Sequence, residues 1–505
     1  MATPSDKLAQ SLAALKTLQE SGTVAIRAST LTRVDRERLL KSGFIREVMK
    51  GWYIPVRPDG QTGESTDWYA SFWAFCRAYL QERFGEDWCL GAEHSLALLT
   101  GDWTVPRQLL VRAPKGGNKP TGLLHGTSIF DVRLEVPAAD DIDVLDGLRV
   151  MRLPAALITC SPGHFAAHPV EMRAALAMVA DASDVLNRLL AGGHSSVAGR
   201  LAGAFRNIGR NQIADAITET MRSAGYNVTE ADPFADRPPV TIAQRETSPA
   251  VNRLRMTWAL MREHVLARFP RPPGLPGDIT QYMHQVEDVY ATDAYNSLSI
   301  EGYRVSAELI ERVRSGAWNP DDALDSEHRD ALAARGYWQA FQKVEESVRR
   351  ILEGGNAGDV AHDDHSGWYR DLFSPSVSAG ILKPTDLAGY RNGPVFIRHS
   401  LHVPPRSDAV RELMPALFDH LRNESEPAVR VVLGHFFFVN IHPYFDGNGR
   451  IGRFLMNAML ASGGYPWTVI PLAQRTRYMS ALESASVEQD IGPFADLIAE
   501  LVQQR

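Results

Sequence analysis

The chain has 505 residues, of which 44% are hydrophobic and 22% are charged. This length is too great for one ordinary hydrophobic core and predicts about two to four domains. The formal net charge of −7 excludes a chain-wide attraction to nucleic acids or anionic membranes, so any such contact needs a local basic patch.

The cysteines and the apolar runs indicate where the protein works. Cys76, Cys89 and Cys160 are too few and too far apart to form a metal clip, which predicts buried thiols in a reduced compartment. No apolar run approaches the roughly 18 residues that cross a bilayer, and Met1 to Glu20 lack the core of a signal peptide. We therefore expect a cytoplasmic protein with no membrane contact.

Residues 1–60 predict two helices followed by a small hairpin. Leucines recur on one face of Lys7 to Glu20, which indicates an amphipathic helix. Thr32 is a suitable N-cap for a second helix over Arg33 to Lys41, and two short strands follow at residues 44–48 and 51–55. This order of elements is typical of a winged helix-turn-helix.

The same segment is locally basic. Between Arg27 and Lys50 there are seven Lys or Arg residues and three Asp or Glu residues, so the local balance is 7 − 3 = +4. Such a patch is the kind of footprint that DNA contact requires. The candidate contacts are Arg33, Arg36 and Arg38, although these side chains also fit an ordinary solvated helix face, and winged helices also bind proteins.

With Gly51-Trp52-Tyr53 in its hairpin, this segment resembles the winged-helix module of the AbiEi family of antitoxins and regulators. Residues 61–232 mix helical and strand patterns, with helices predicted at 67–81 and 172–190, and are compatible with an α+β regulatory region of the same family. His164, His168 and His194 are scattered, which favours structural roles over a metal site. The Pro-rich stretch 232–239 is the predicted domain boundary.

Residues 240–505 predict an all-α bundle with one small hairpin, so the fold class is mainly α with an α+β region ahead of it. A proline cluster at residues 270–276 is expected to connect two helices. The predicted helices of this part lie at residues 251–269, 282–299, 307–314, 325–352, 410–421, 428–441, 451–461 and 494–502.

The stretch from His442 to Arg453 concentrates residue types that suit phosphate chemistry. Gly447 and Gly449 allow the backbone to approach a ligand closely. A helix that begins near Asn448 would present free N–H groups and its positive dipole end to an anion.

The side chains of this stretch add charge to that site. Arg450 and Arg453 are three residues apart on the first helical turn, so both can reach one polyphosphate. Asp446 is a hard oxygen ligand suited to Mg²⁺. His442 suits a general base that takes a proton from an attacking hydroxyl.

This string resembles the signature of Fic-domain proteins, His-Pro-Phe-x-Asp/Glu-Gly-Asn-Gly-Arg-x-x-Arg, with Tyr444 as the one departure. The resemblance implies transfer of AMP from ATP to a Ser, Thr or Tyr hydroxyl of a protein, or of the chain itself, with release of pyrophosphate. It assigns His442 as the base, Asp446 to Mg²⁺, Gly447–Arg450 to the phosphates, and Arg453 to the γ-phosphate. Both signature glycines are present, which argues against the phosphate-transferring branch of the family.

A second segment, Ser297-Leu298-Ser299-Ile300-Glu301-Gly302, is similar to the inhibitory motif of Fic proteins. In that family the glutamate pairs with the second signature arginine, which is Arg453 here. The resemblance therefore implies a self-inhibited enzyme, because Glu301 would compete with ATP for its own anchor.

Two weaker resemblances complete the sequence assignment. Residues 389–405 look like the hairpin, or flap, beside a Fic active site, where a target could add as a strand. Tyr478 lies where the family often places an aromatic ring against adenine. The alternative function is a DNA-binding regulator whose Fic half senses nucleotide; self-association of the chain is left open.

Overall fold

The computed structural model describes residues 3–58, 65–234, 248–318 and 325–504. They form two compact units. The amino-terminal unit comprises residues 1–253 together with 396–403, and the carboxy-terminal unit comprises residues 254–395 and 404–505. Of the predicted boundary at 232–239, residues 235–239 lie outside the described residues.

The first elements of the amino-terminal unit follow the prediction closely. Two helices, α1 (Pro4–Glu20) and α2 (Arg33–Lys41), are each capped by the preceding threonine side chain. An additional strand, β1 (Ile26–Arg27), joins β2 (Ile45–Met49) and β3 (Trp52–Pro55) in an antiparallel sheet of order β1-β3-β2. The helices and the hairpin are thus confirmed, and a two-residue third strand was missed because so short a run has no period.

The rest of this unit is α+β, as expected. A four-stranded sheet of order β4-β5-β7-β6 pairs β5 and β7 in parallel, and β8 and β9 form a separate hairpin. The three cysteines are free and buried. The bounds are α3 (Thr66–Phe84), β4 (Cys89–Leu90), α4 (Ala92–Leu99), β5 (Gln108–Ala113), β6 (Pro120–Gly122), β7 (Ser128–Arg133), β8 (Ile142–Leu145), β9 (Leu148–Met151), α5 (Leu153–Thr159), α6 (Pro162–Ala167), α7 (Pro169–Met178), α8 (Ser183–Gly192), α9 (Ser195–Asn207) and α10 (Asn211–Ser223).

The single helix predicted at residues 172–190 is wrong, because α7 and α8 are separated by a turn. Val179 leaves the helical conformation with ψ 119°. Asp181 then accepts a hydrogen bond from the Ser183 N–H, and Asp184 accepts from the N–H groups of Ala180 and Asp181. Aspartates that bond to nearby backbone N–H groups offer the chain an alternative to continuing the helix.

The carboxy-terminal unit is a helical bundle. Its bounds are α11 (Pro249–Leu266), whose first residues belong to the other unit, α12 (Ile279–Ile300), α13 (Ala307–Arg314), α14 (Asp325–Leu352), α15 (Ala357–Ser378), α16 (Ser407–Asn423), α17 (Pro427–Ile441), α18 (Asn448–Ala461), α19 (Arg475–Glu483) and α20 (Gly492–Gln503). The proline cluster at 270–276 connects α11 and α12, as predicted. No helix in the described ranges is long and apolar enough to cross a membrane.

One long helix, α15, was not predicted. It contains Gly358, Gly367 and Pro375 together with many polar residues, which conceals its helical period. The helix forms because Asn356 caps its N-terminus and because Trp368, Leu372 and neighbouring side chains are buried. Tertiary packing therefore overrides a poor local propensity here.

The hairpin predicted at residues 389–405 is not formed. These residues are all described, and they contain no strand. The buried Arg391 side chain instead donates to the carbonyls of Gly393 and Pro405, at the two ends of the segment, and to that of His442. Because prolines interrupt the segment and Arg391 satisfies these carbonyls, no strand ladder forms. Residues 389–405 instead form an irregular segment, here called the strap, which Arg391 holds near both of its ends.

A half-buried carboxylate on α14 leads to a pH-dependent stability prediction. Burial, and then repulsion from Glu287, raise the pKa of Glu345 to about 7, and its Oε1 is buried with no hydrogen-bond partner among the described residues. A raised pKa in the folded state means that the native protein holds this proton more tightly than the unfolded chain does. The stability that this tighter binding contributes is lost as the pH rises from about 4.5 to about 7. We expect Glu345→Gln to stabilise the fold by about 1–3 kcal/mol at pH 8 and by little at pH 4.

Melting temperatures of Glu345→Gln and wild type across this pH range would check the prediction. Glu346→Gln is the matched control, since Glu346 is exposed and pairs with Lys343 at 2.9 Å. An equal shift at pH 4 and pH 8 would contradict it.

Candidate active site

The loop between α17 and α18 has an unusual backbone. His442 caps α17 in the left-handed region with φ 54°, and Gly447 caps the start of α18 with φ 80°. A Cβ on Gly447 would lie 2.7 Å from a ring carbon of Phe373. A side chain at position 447 is therefore excluded both by backbone conformation and by space, which explains the glycine.

Asn448 closes the loop on itself. Its side chain accepts from the Tyr444 N–H at 2.9 Å and donates to the Tyr444 carbonyl at 2.8 Å. The side chain is 2% exposed. Asn448 was expected to hold phosphate; its amide is used instead to shape the loop, while its position as the first residue of α18 leaves its backbone N–H at the helix terminus.

Tyr444, the departure from the Fic signature, lies in the core. Its ring stacks on Tyr369 with centroids 3.8 Å apart, and its hydroxyl is buried with no hydrogen-bond partner among the described residues. A buried polar group without a partner costs about 1–3 kcal/mol. We expect Tyr444→Phe to leave activity unchanged and to stabilise the protein by about 1 kcal/mol, measured as a rise in melting temperature. A loss of stability would reveal a partner for the hydroxyl.

His442 is half-buried at the mouth of the loop. Its Nδ1 lies 3.2 Å from the Val439 carbonyl oxygen, which can only accept a hydrogen bond. This contact favours the proton on Nδ1 and places the lone pair of the neutral ring on Nε2. Arg391 holds the backbone beside His442. Its guanidinium donates to the His442 carbonyl, and its backbone N–H donates to the Pro443 carbonyl.

The N-terminus of α18 meets two buried cations. Arg450 is 1% and Arg453 is 3% exposed. Nε and Nη2 of Arg450, and Nη1 of Arg453, are buried and have no hydrogen-bond partner among the described residues. Unused guanidinium donors beside a helix N-terminus form a site for an anion with several oxygens.

Glu301 reaches into this site from the end of α12. Its Oε1 accepts from Nη2 of Arg453 at 2.7 Å, and Ser297 accepts from the same guanidinium at 2.7 Å through its hydroxyl and at 3.0 Å through its carbonyl. Burial acts to lower the pKa of Arg453, but the adjacent Glu301 carboxylate raises it well above its usual range. The arginine is therefore charged and paired.

The Glu301 carboxylate also covers the helix terminus. A Cβ on Gly449 would lie 2.3 Å from Glu301 Oε1, so glycine is the residue that lets the carboxylate pack here. The same oxygen thus contacts Arg453 and the first turn of α18. An anion bound at the terminus of α18 would meet this carboxylate, and like charges at such a distance repel strongly.

Asp446 is the candidate ligand for Mg²⁺ in this loop. Its side chain is 66% exposed, and its Oδ1 accepts from the Gly447 N–H at 2.6 Å and lies 3.4 Å from Arg450 Nη2. In the described ranges, no group of three or more His, Cys, Asp or Glu side chains is placed to hold a metal. One accessible carboxylate fits Mg²⁺ that is shared with nucleotide phosphates, and does not fit a metal held by protein ligands alone.

Tyr478 does not present its ring to a ligand. It is 1% exposed, and its hydroxyl lies 2.8 Å from Nε2 of the buried His435. Burial raises the pKa of Tyr478 to about 12 and lowers the pKa of His435 to about 3, so both groups are neutral. The structure places Tyr478 in the core beside Arg453, and the adenine contact expected for it stays a prediction.

The candidate DNA contacts are largely used within their own unit. Arg33 is exposed and pairs with Glu37 at 2.7 Å. Arg36 donates to the Ala28 carbonyl at 2.7 Å. Arg38 donates at 2.8 Å to a backbone carbonyl and at 2.7 Å to a serine hydroxyl on α1. DNA binding through these side chains remains a prediction that no contact here favours.

Two aromatic residues of the site were missed. Tyr303 and Phe373 have ring centroids 5.2 Å and 5.0 Å from the Arg450 guanidinium carbon. Tyr303 directly follows the inhibitory motif, but the motif does not define this position. Phe373 lies on α15, the helix that its sequence concealed.

Residues 367–460 match the model of the Fic/DOC family. These residues contain the His442–Arg453 loop and the end of α15. The chain contains a Fic domain. The Fic resemblance of the loop is thereby confirmed, whereas no comparison bears on the AbiEi resemblance of the amino-terminal region.

Relatives named protein adenylyltransferase Fic match 43% of this chain. The protein from Drosophila willistoni is 30% identical over 227 residues, which are 43% of this chain and 41% of the relative. The protein from Drosophila grimshawi is 30% identical over 228 residues, which are 43% and 42%. The chain thus spans less than half the length of these relatives.

Solved structures of low identity also carry the Fic name. A Fic-1 fragment from C. elegans has a TM-score of 0.38 and 17% identity, and covers 64% of this chain and 89% of its own. A Fic domain containing signaling protein from Bacteroides thetaiotaomicron has a TM-score of 0.36 and 17% identity, and covers 50% and 92%.

Proposed function

We propose that the chain is a self-inhibited protein adenylyltransferase, which transfers AMP from ATP to a Ser, Thr or Tyr hydroxyl of a protein or of itself. The observation that carries this proposal is the contact of Glu301 with both Arg453 and the first turn of α18. A carboxylate placed over an otherwise complete anion site is what inhibition by competition requires. The family of the Fic domain supports the choice of AMP as the transferred group.

The residues of the loop can be given roles in the bond changes of AMP transfer. The hydroxyl oxygen of the target attacks the α-phosphorus of ATP while His442 Nε2 takes its proton. The bond from the α-phosphorus to the bridging oxygen breaks, and pyrophosphate leaves. The N–H groups at the start of α18 and the guanidinium of Arg450 stabilise the charge that develops on the phosphates. The base contributes about 10²–10⁴-fold to the rate.

Asp446 would hold Mg²⁺ together with the phosphates, and the metal would neutralise charge on the leaving pyrophosphate. In the resting state Glu301 pairs with Arg453, so the anchor for the γ-phosphate is occupied. When Glu301 withdraws, Arg453 is left buried and charged, and a phosphate replaces the lost partner. Inhibition is thus an exchange of one anion for another.

The first part of the strap lies beside this loop, with Gly393 facing the exposed ring of Phe445. The strap carries no strand, so a target that adds to it by backbone hydrogen bonds has to reshape it. The regulator alternative, in which the Fic half only senses nucleotide, is not supported by the placement of Arg36 and Arg38.

Intact-mass measurement of the Glu301→Gly chain after incubation with ATP and Mg²⁺ tests the reaction type. We expect a mass gain of one AMP on the chain itself or on a protein added from a cell extract. A gain of one phosphate, or no gain with ATP and with the other nucleoside triphosphates, would overturn the proposal.

A further inference from the structure

Arg450 is held in an unusual way for a buried cation. Its guanidinium carbon lies 5.2 Å from the ring centroid of Tyr303 and 5.0 Å from that of Phe373, while Nε and Nη2 have no hydrogen-bond partner among the described residues. Stacking uses the flat face of a guanidinium, whereas its hydrogen bonds lie in its plane. The two rings therefore hold the cation without using Nε or Nη2, and Nη2 also lies 3.4 Å from Oδ1 of Asp446, the carboxylate proposed to share Mg²⁺ with the ligand.

Tyr303 is itself fixed by the turn that ends α12. Gly302 adopts φ 88°, and the Tyr303 N–H donates to the Leu298 carbonyl at 3.1 Å. The guanidinium of Arg329 lies 5.3 Å from the same ring. A ring with its backbone tied to the helix end and cations at two sites is well placed to orient Arg450.

We propose that Tyr303 is a positioning residue that orients Arg450 toward the phosphates of ATP. This rests on the proposed function, in which those phosphates bind at α18. The neighbouring Glu301 acts in the opposite way: it occupies a donor of Arg453, whereas Tyr303 occupies none of the donors of Arg450. One short segment thus carries both the residue that blocks the site and a residue that shapes it.

The competing interpretation is that Tyr303 is a second inhibitory contact, since it lies only two residues after Glu301. The two interpretations predict opposite signs. If the ring positions Arg450, its loss weakens ATP binding in a chain already released by Glu301→Gly. If the ring inhibits, its loss raises AMP incorporation in the otherwise native chain and leaves ATP binding intact.

The test measures ATP and adenosine affinity by calorimetry, and KM and kcat for ATP, in the Glu301→Gly background. We expect Tyr303→Leu to weaken ATP binding about 3–30-fold, with KM rising more than kcat falls, and adenosine affinity to be unchanged. The expected order of affinity is Trp and Tyr above Phe, and Phe above Leu at position 303, which a merely structural role would not produce. Tyr295→Leu is the matched control, because Tyr295 is 40% exposed on α12.

The outcomes separate this inference from the proposed function. Failure of the Glu301→Gly chain with native Tyr303 to bind ATP overturns the proposed function. If that chain binds ATP and Tyr303→Leu binds it equally well, the positioning role is wrong. A rise in AMP incorporation for Tyr303→Leu in the native chain, with unchanged ATP affinity, overturns it in favour of inhibition. Tyr303→Met also removes the ring and serves in place of Leu if that variant does not fold.

Discussion

The Glu301→Gly chain is expected to incorporate AMP about 10–150-fold faster than the native chain, the factor that corresponds to a charge-assisted hydrogen bond of 1.5–3 kcal/mol. Removing the carboxylate frees Nη2 of Arg453 and the space over Gly449 together. ATP affinity should rise with the rate, because the change removes a competitor of the ligand. Label transfer from ATP and calorimetric ATP titration would measure the two effects.

Two control variants separate the causes. Glu353→Gly is the matched control, since Glu353 also follows the last residue of a helix and precedes a glycine, but is not among the described residues that contact Arg453. Glu301→Gln retains the bulk and loses the charge, so an increase as large as that of Glu301→Gly would assign inhibition to charge. An equal increase for Glu353→Gly would contradict the assignment to this contact.

Replacing His442 by Ala in the Glu301→Gly background should reduce AMP transfer by about 10²–10⁴-fold, the usual contribution of a general base. ATP binding should be unchanged, because His442 caps α17 and the phosphate donors lie on α18. Transfer kinetics and ATP titration of the same preparation check both statements.

His284→Ala is the control for this loss, since the His284 side chain is 71% exposed on α12. Transfer that persists in the His442→Ala chain at the rate of this control would remove His442 from the mechanism. A parallel loss of ATP binding would instead indicate that His442 maintains the conformation of the loop.

The sequence by itself determined the chemistry of the Fic loop. Its histidine, glycines and arginines lie within twelve residues, and their spacing sets which groups can face one ligand. It also determined the pairing of Glu301 with Arg453, because the family motif names both partners, and most of the bundle, because long amphipathic helices have a clear period.

Other features depended on tertiary packing. α15 forms against its neighbours despite Gly367 and Pro375, and it brings Phe373 beneath Gly447. The strap at 389–405 lacks strands because the buried Arg391 satisfies its carbonyls. Local sequence does not record the contacts of Phe373 with Gly447 or of Arg391 with the Pro405 carbonyl, since these residues are well separated in the chain.

Both the sequence and the tertiary structure determine the proposed phosphate site. The sequence determined which side chains can hold an anion, since the arginines and the helix start lie within one turn. Only the tertiary structure decided that Arg450 is held by the rings of Tyr303 and Phe373, with Nε and Nη2 making no hydrogen bond among the described residues. The reason is physical. The residue types define which interactions are available, whereas the packing of three separate segments of the chain decides which of them are made.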